Sequence, residues 1–207
     1  MSKLLKKDNG KFIQPHHWIF GIMLVAALIG LLASFVLTVD KFEVLANPNA
    51  VLSCSINAAL NCSRVMESWQ ASLLGFPNTL IGLMAYPVII LIAVLGLIAV
   101  KLPRWFFVAA NVGFLLSTVF SYWLFFQSLY SIQVLCPWCL SVTFAETLII
   151  ASAIFYNLRE NNFGFKKAAN EKIQSFLNKG YYQVVVISLI VVLVALVFLK
   201  FGSALFA

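Results

Sequence analysis

Residues 105–145 read WFFVAANVGFLLSTVFSYWLFFQSLYSIQVLCPWCLSVTFA, without one Asp, Glu, Lys or Arg. A membrane crossing takes about 20 apolar residues, so this stretch is long enough for two. Ser128, Gln133 and Pro137 mark where it breaks at the membrane surface. Just past the break, Cys136-Pro137-Trp138-Cys139 opens the second crossing. Three more charge-free stretches, Trp18–Val39, Thr79–Val100 and Tyr181–Leu199, each supply one crossing. With 62% of residues hydrophobic and 10% charged, an ordinary soluble domain is excluded. The expected fold is an all-α integral membrane protein: a four-helix transmembrane bundle core, a fifth transmembrane helix, and an extracytoplasmic loop with an amphipathic lid. Residues 1–158 would form the four-helix core with its outer loop at 40–78, and residues 159–207 a basic cytoplasmic loop and the fifth helix.

Orientation follows from Lys and Arg, which concentrate on the cytoplasmic side. Lys3, Lys6, Lys7 and Lys11 precede the first span, and Lys101 and Arg104 separate the second from the third. Arg159, Lys166, Lys167, Lys172 and Lys179 lie between the fourth and fifth. Only Lys41, Arg64 and Lys200 fall opposite, so the N-terminus is expected in the cytoplasm. The net charge of +7 then reports topology and contact with anionic lipid, and needs no nucleic acid to explain it. The first span is too long for a signal-peptide core and has no small-residue cleavage site before Asp40, which makes it an anchor. All four cysteines of this multi-pass protein then face the oxidising compartment, where disulfides persist.

The loop Asp40–Asn78 is the one long polar insertion, with a turn signal at Asn47-Pro48-Asn49. Within Ser63–Phe76, Val65, Trp69 and Leu73 recur at helical spacing, which predicts a short amphipathic helix lying in the interface as a lid. Gly75-Phe76-Pro77-Asn78 ends it and turns the chain into the second span. Asn161–Gly180 reads as a polar, basic loop.

The cysteines carry the chemistry. Pro137 suits the first helical position, which puts Cys136 at the N-cap, exposed and electropositive, and Cys139 one turn deeper, facing the bundle. Thiolates are stabilised at such a site, and cysteines one turn apart can bridge. Cys54 and Cys62 would lie ~12 Å apart on a continuous helix, too far to bridge, so Ser55–Asn61 either folds back or remains mobile. A purely structural disulfide accounts for Cys54–Cys62 better than for a C-x-x-C at a helix cap. Zinc is disfavoured by the wide C-x7-C spacing and by the lack of histidine on this face, so no metal site is expected. His16 and His17 sit on the opposite flank as interface anchors. Glu146, seven residues after Cys139, is the sole acid inside a span. A neutral, hydrogen-bonded carboxyl and a proton-handling one are both open there.

The run CSINAALNCSRVMESWQASLLGFPNTLIG from Cys54 to Gly82, followed by CPWC at Cys136–Cys139, resembles the vitamin K epoxide reductase family, especially its bacterial disulfide-forming members. The carrying motifs are C-x7-C, Ser68 six residues after the second cysteine, the Phe76-Pro77-Asn78 turn and the late C-x-x-C. In the unrelated DsbB family the C-x-x-C comes first along the chain. The resemblance implies that Cys54 exchanges with a partner thiol, Cys62 relays to Cys136, and Cys139 donates to a bound quinone, ubiquinone or menaquinone. It implies Ser68 near the active site and Asn78 bonded to a quinone carbonyl; a helix cap is the plainer reading of Asn78. Vertebrate members carry a quinone-contacting tyrosine where this chain has Thr143, which speaks against vitamin K epoxide as substrate. Many bacterial members carry a fused thioredoxin-like domain; this sequence reaches Ala207 without one, so a DsbA-like partner is expected in trans. The function implied is a thiol–quinone oxidoreductase driving disulfide formation. The rivals are reduction of quinone or vitamin K epoxide for its own product, and a non-enzymatic scaffold with structural disulfides.

Overall fold

The computed structural model describes residues 17–47, 52, 54–55, 59–100 and 102–205. The first four lysines, Lys101, His16 and most of the Asn47-Pro48-Asn49 turn lie outside them. Five helices are long and apolar enough to cross a membrane: α1 (His17–Ala46), α3 (Thr79–Leu97), α4 (Arg104–Phe126), α5 (Pro137–Arg159) and α7 (Tyr181–Leu205). Two shorter helices join them, α2 (Cys62–Glu67) and α6 (Lys167–Asn178). Among the described residues there is no β-sheet, only a single bridge between Leu60 and Leu135. The protein is an all-α, multi-pass membrane protein.

The bundle is built on α1, which lies along both α3 and α5, while α4 closes against α5. In lipid, close van der Waals packing holds helices together, and small residues permit it. Ala26, Ala27, Ala93 and Ala153 are buried at these crossings beside Met23, Ile89, Ile92 and Ile149. Gly96 takes the Phe20 ring so closely that a Cβ there would lie 2.3 Å from it. The outer faces stay greasy: Val25, Leu28, Leu116 and Leu199 are exposed, as a lipid-facing surface should be.

The structure departs from the sequence reading at three elements. Helix α1 does not end at Val39 but continues to Ala46, because Asp40 and Val44 are buried on its inner face, Val44 in the cluster that holds the cysteines. The lid is not one helix: α2 stops at Glu67 and a 3₁₀ turn, Trp69–Ser72, follows. Ser68 breaks it with an extended backbone while its hydroxyl donates to the Val65 carbonyl at 2.6 Å, the local competition that makes serine a poor helix interior. Asn161–Gly180 is largely helix α6, anchored by buried Leu177 against Ile19 and Phe155 and by Arg159 donating to Gln174 and Asn178.

The break in the long apolar run is where the sequence placed it. Helix α4 relaxes into a π-helical turn, Gln127–Ile132, and ends at Gln133 in the left-handed region (φ 56°). The Ser128 hydroxyl donates to the Val134 carbonyl and closes the turn. The chain thereby enters α5 from the side of the α2 loop.

Candidate functional site

Two backbone hydrogen bonds assemble the cysteines. The Leu135 N–H donates to the Ala59 carbonyl at 2.8 Å, and the Asn61 N–H to the Leu135 carbonyl at 3.1 Å. Each bond lies next in sequence to a cysteine or nearly so, and together they lay the Cys62 loop on the start of α5. Cys54 and Cys62 form a disulfide with a Cα–Cα distance of 5.7 Å, far shorter than a continuous helix between them would allow. Cys136 and Cys139 are free thiols. The Cys136 sulfur lies 3.4 Å from that of Cys62.

Cys136 is the N-cap of α5 with Pro137 in the first turn, as expected, and its sulfur accepts the Cys139 N–H at 3.4 Å. It is not exposed, however. The Cys62 loop covers it and leaves it 1% accessible. Standing ahead of the membrane span, its thiol is held below the ordinary thiol range, first by hydrogen bonding from Cys139 and then by N–H groups of Cys139 and Trp138; burial and the Asp40 charge oppose this. Cys54 is buried too, with Asp40 Oδ2 3.7 Å from its sulfur.

Behind the cysteines a cavity of about 180 Å³ runs into the bundle between α3, α4 and α5. Cys136 and Cys139 line one part of it, Leu37, Ile81 and Phe120 give apolar wall, and Glu146, Ser117 and Tyr86 also face it. Ser68 and Asn78 line it as well. Asn78 stands at the N-cap position of α3, but its side chain makes no cap bond to that helix. Its amide donates to the Gln70 carbonyl at 2.6 Å and its oxygen accepts the Leu73 N–H at 3.2 Å, stapling the 3₁₀ turn to the mouth of α3. Thr143 donates to the Cys139 carbonyl at 3.1 Å and accepts from Ser121 at 3.3 Å. Glu146 is buried, with the Ser117 hydroxyl donating to it at 2.6 Å.

The sequence reading passed over Asp40, Tyr86 and Ser117. Asp40 carried a signal, an acid at the end of an apolar span, but looked like the first residue of a loop. Tyr86 and Ser117 carried none, since single polar residues in apolar spans take meaning only from what the bundle places opposite them. Among the described residues, no group of three or more His, Cys, Asp or Glu is placed to hold a metal ion.

A bundle with a disulfide in contact with a C-x-x-C thiol, backed by an apolar cavity, defines a membrane-embedded thiol-based oxidoreductase. The chain belongs to the vitamin K epoxide reductase family, whose model matches residues 21–154, more than half of its 207 residues. No curated protein matches it. Family membership implies quinone use, and the cavity suits a quinone headgroup: apolar walls, a thiol at one end and polar side chains farther along.

Proposed function

We propose that this protein reoxidises a DsbA-like thioredoxin-fold protein in trans and passes the electrons to ubiquinone or menaquinone, supporting disulfide formation outside a bacterial cytoplasm. The observation that carries this reading is the 3.4 Å approach of the Cys136 sulfur to Cys62, beside a cavity that Cys139 lines.

The roles follow from thiol–disulfide exchange, in which a thiolate attacks one sulfur and expels the other. A partner thiolate attacks Cys54 and releases Cys62. Cys62 attacks Cys136 of a closed Cys136–Cys139 disulfide, which frees Cys139. As the partner closes its own disulfide, Cys54 is released, attacks Cys62 and frees Cys136. Two electrons then rest on Cys136 and Cys139 while Cys54–Cys62 is closed again, the arrangement of bonds seen here. Bound quinone supplies the two-electron, two-proton sink that lets Cys136 and Cys139 close once more. Cys54 is buried, so exchange requires it to become accessible to the partner thiol.

Asn78 keeps one amide hydrogen beyond its bond to Gln70, which can be given to a quinone oxygen, and Ser68 helps to shape the wall. Direction is set by potential. A DsbA-type dithiol near about −120 mV needs a stronger oxidant, and a quinone is one. Reduction of vitamin K epoxide for its own product is disfavoured, because the Thr143 hydroxyl is already engaged by Cys139 and Ser121. The basic loops support a cytoplasmic N-terminus, with the cysteines outside.

The test is quinone reduction by the purified protein, with a short-chain ubiquinone and a reduced thioredoxin-fold donor. Loss of quinone should match formation of donor disulfide one for one and stop when the donor is omitted. Donor oxidation that proceeds unchanged without quinone would overturn the proposal.

A further inference from the structure

Resting on the quinone reading above, we propose that Glu146 is a second catalytic group: the carboxyl that gives a proton to the quinone oxygen farther from Cys139, with Tyr86 positioning it.

Among the described residues, Glu146 is the only acid lining the cavity, and no Lys, Arg or His lines it. A carboxyl at that depth is costly, and nothing cationic on the cavity wall compensates an ionised one. Seven residues separate it from Cys139 on α5, ~10 Å along the axis from the rise per residue and nearly the same face. Both side chains line the one cavity, so a ring lying between them meets a thiol at one end and a carboxyl at the other.

The surroundings of the carboxyl are built rather than incidental. Ser117 on α4 donates to Oε2 at 2.6 Å, which fixes one oxygen of the carboxyl. Tyr86 on α3 lines the same cavity beside Glu146 and Ser117. Tyr86 gets there because Gly30 on α1 has no side chain: a Cβ at Gly30 would sit 2.3 Å from the Tyr86 ring. Three helices therefore converge on Glu146, and a fourth yields space for the convergence. A carboxyl needed only as glue between α4 and α5 requires Ser117 alone.

The proton balance closes. Cys136 and Cys139 lose two electrons as their S–S bond forms, and the two quinone oxygens each gain a proton. Cys139 supplies one from its thiol. Glu146 supplies the other and is refilled from water at the cavity mouth, which makes good the proton that Cys136 released to water on forming its thiolate.

The experiment uses full-length protein in lipid nanodiscs and a short-chain ubiquinone as probe. Glu146→Gln still accepts the bond from Ser117 but has no transferable proton. It should slow quinone reduction about 10²-fold or more, while reduction of Cys54–Cys62 by a thioredoxin-fold donor keeps its normal rate. Tyr86→Phe should give an intermediate loss. A Glu146→Gln protein with wild-type quinone kinetics would show the carboxyl to be structural. Infrared difference spectra of the wild type need no variant to fold: adding quinone should shift a carboxyl C=O band that is sensitive to D₂O. Absence of any such shift, in protein that does bind quinone by tryptophan quenching, also overturns the assignment. Failure of the wild type to bind or reduce quinone at all would instead remove the underlying functional reading.

Discussion

Cys136 draws its reactivity from its seat ahead of the first turn of α5. The free N–H groups of that turn and the Cys139 thiol favour its charged form, while burial and Asp40 disfavour it. The first influence wins, so its thiolate is populated at a pH below the ordinary thiol range. Cys139 is the largest contributor, and Cys139→Ala should therefore raise the Cys136 pKa. At any pH between the two values the variant then holds less thiolate and exchanges more slowly. Thiolate absorbance titrated in a Cys54→Ala/Cys62→Ala background reads this directly; an unchanged or lower pKa would refute the cause given. At this scale the sequence was informative where chemistry is local. The N-cap and the proline turn of Cys136 follow from four consecutive residues, whereas its burial depends on Ala59 and Leu135 pairing across more than seventy residues of chain.

Among the elements, the lid depends most on a single side chain. Asn78 joins the 3₁₀ turn to the start of α3 through two hydrogen bonds, and the same residue faces the cavity. Asn78→Ala should cost about 1–2 kcal/mol of stability from the lost bonds. It should also slow quinone reduction about 10²-fold while Cys54 still exchanges with donor thiols. Chemical denaturation and single-turnover kinetics separate the two effects; normal quinone kinetics in folded variant would confine Asn78 to holding the lid. All five spans were legible from length and hydropathy alone, because lipid demands uninterrupted apolar helices. The polar connections were not. The extension of α1 and helix α6 are decided by tertiary contacts of Val44 and Leu177, which no local pattern announces, while the break at Ser68 comes from its hydroxyl bonding the Val65 carbonyl three residues back.

At the scale of the molecule, the fold brings two cysteine pairs more than seventy residues apart in sequence to one point and sets a cavity behind them. The backbone pairing of the α2 loop with the start of α5 makes that meeting. The central claim is that electrons cross between the pairs at Cys62 and Cys136. Trapping the crossing tests it most directly. In Cys139→Ala protein, Cys136 has no neighbouring thiol to close with; its attack on Cys62 leaves a Cys62–Cys136 bond and a free Cys54 thiol, which a maleimide present throughout caps before it can attack Cys62 in return. Peptide mass spectrometry after acid quenching should find that cross-link accumulating with time. Finding only Cys54–Cys62 and free Cys136, in protein that is folded and still takes up quinone, would contradict the account.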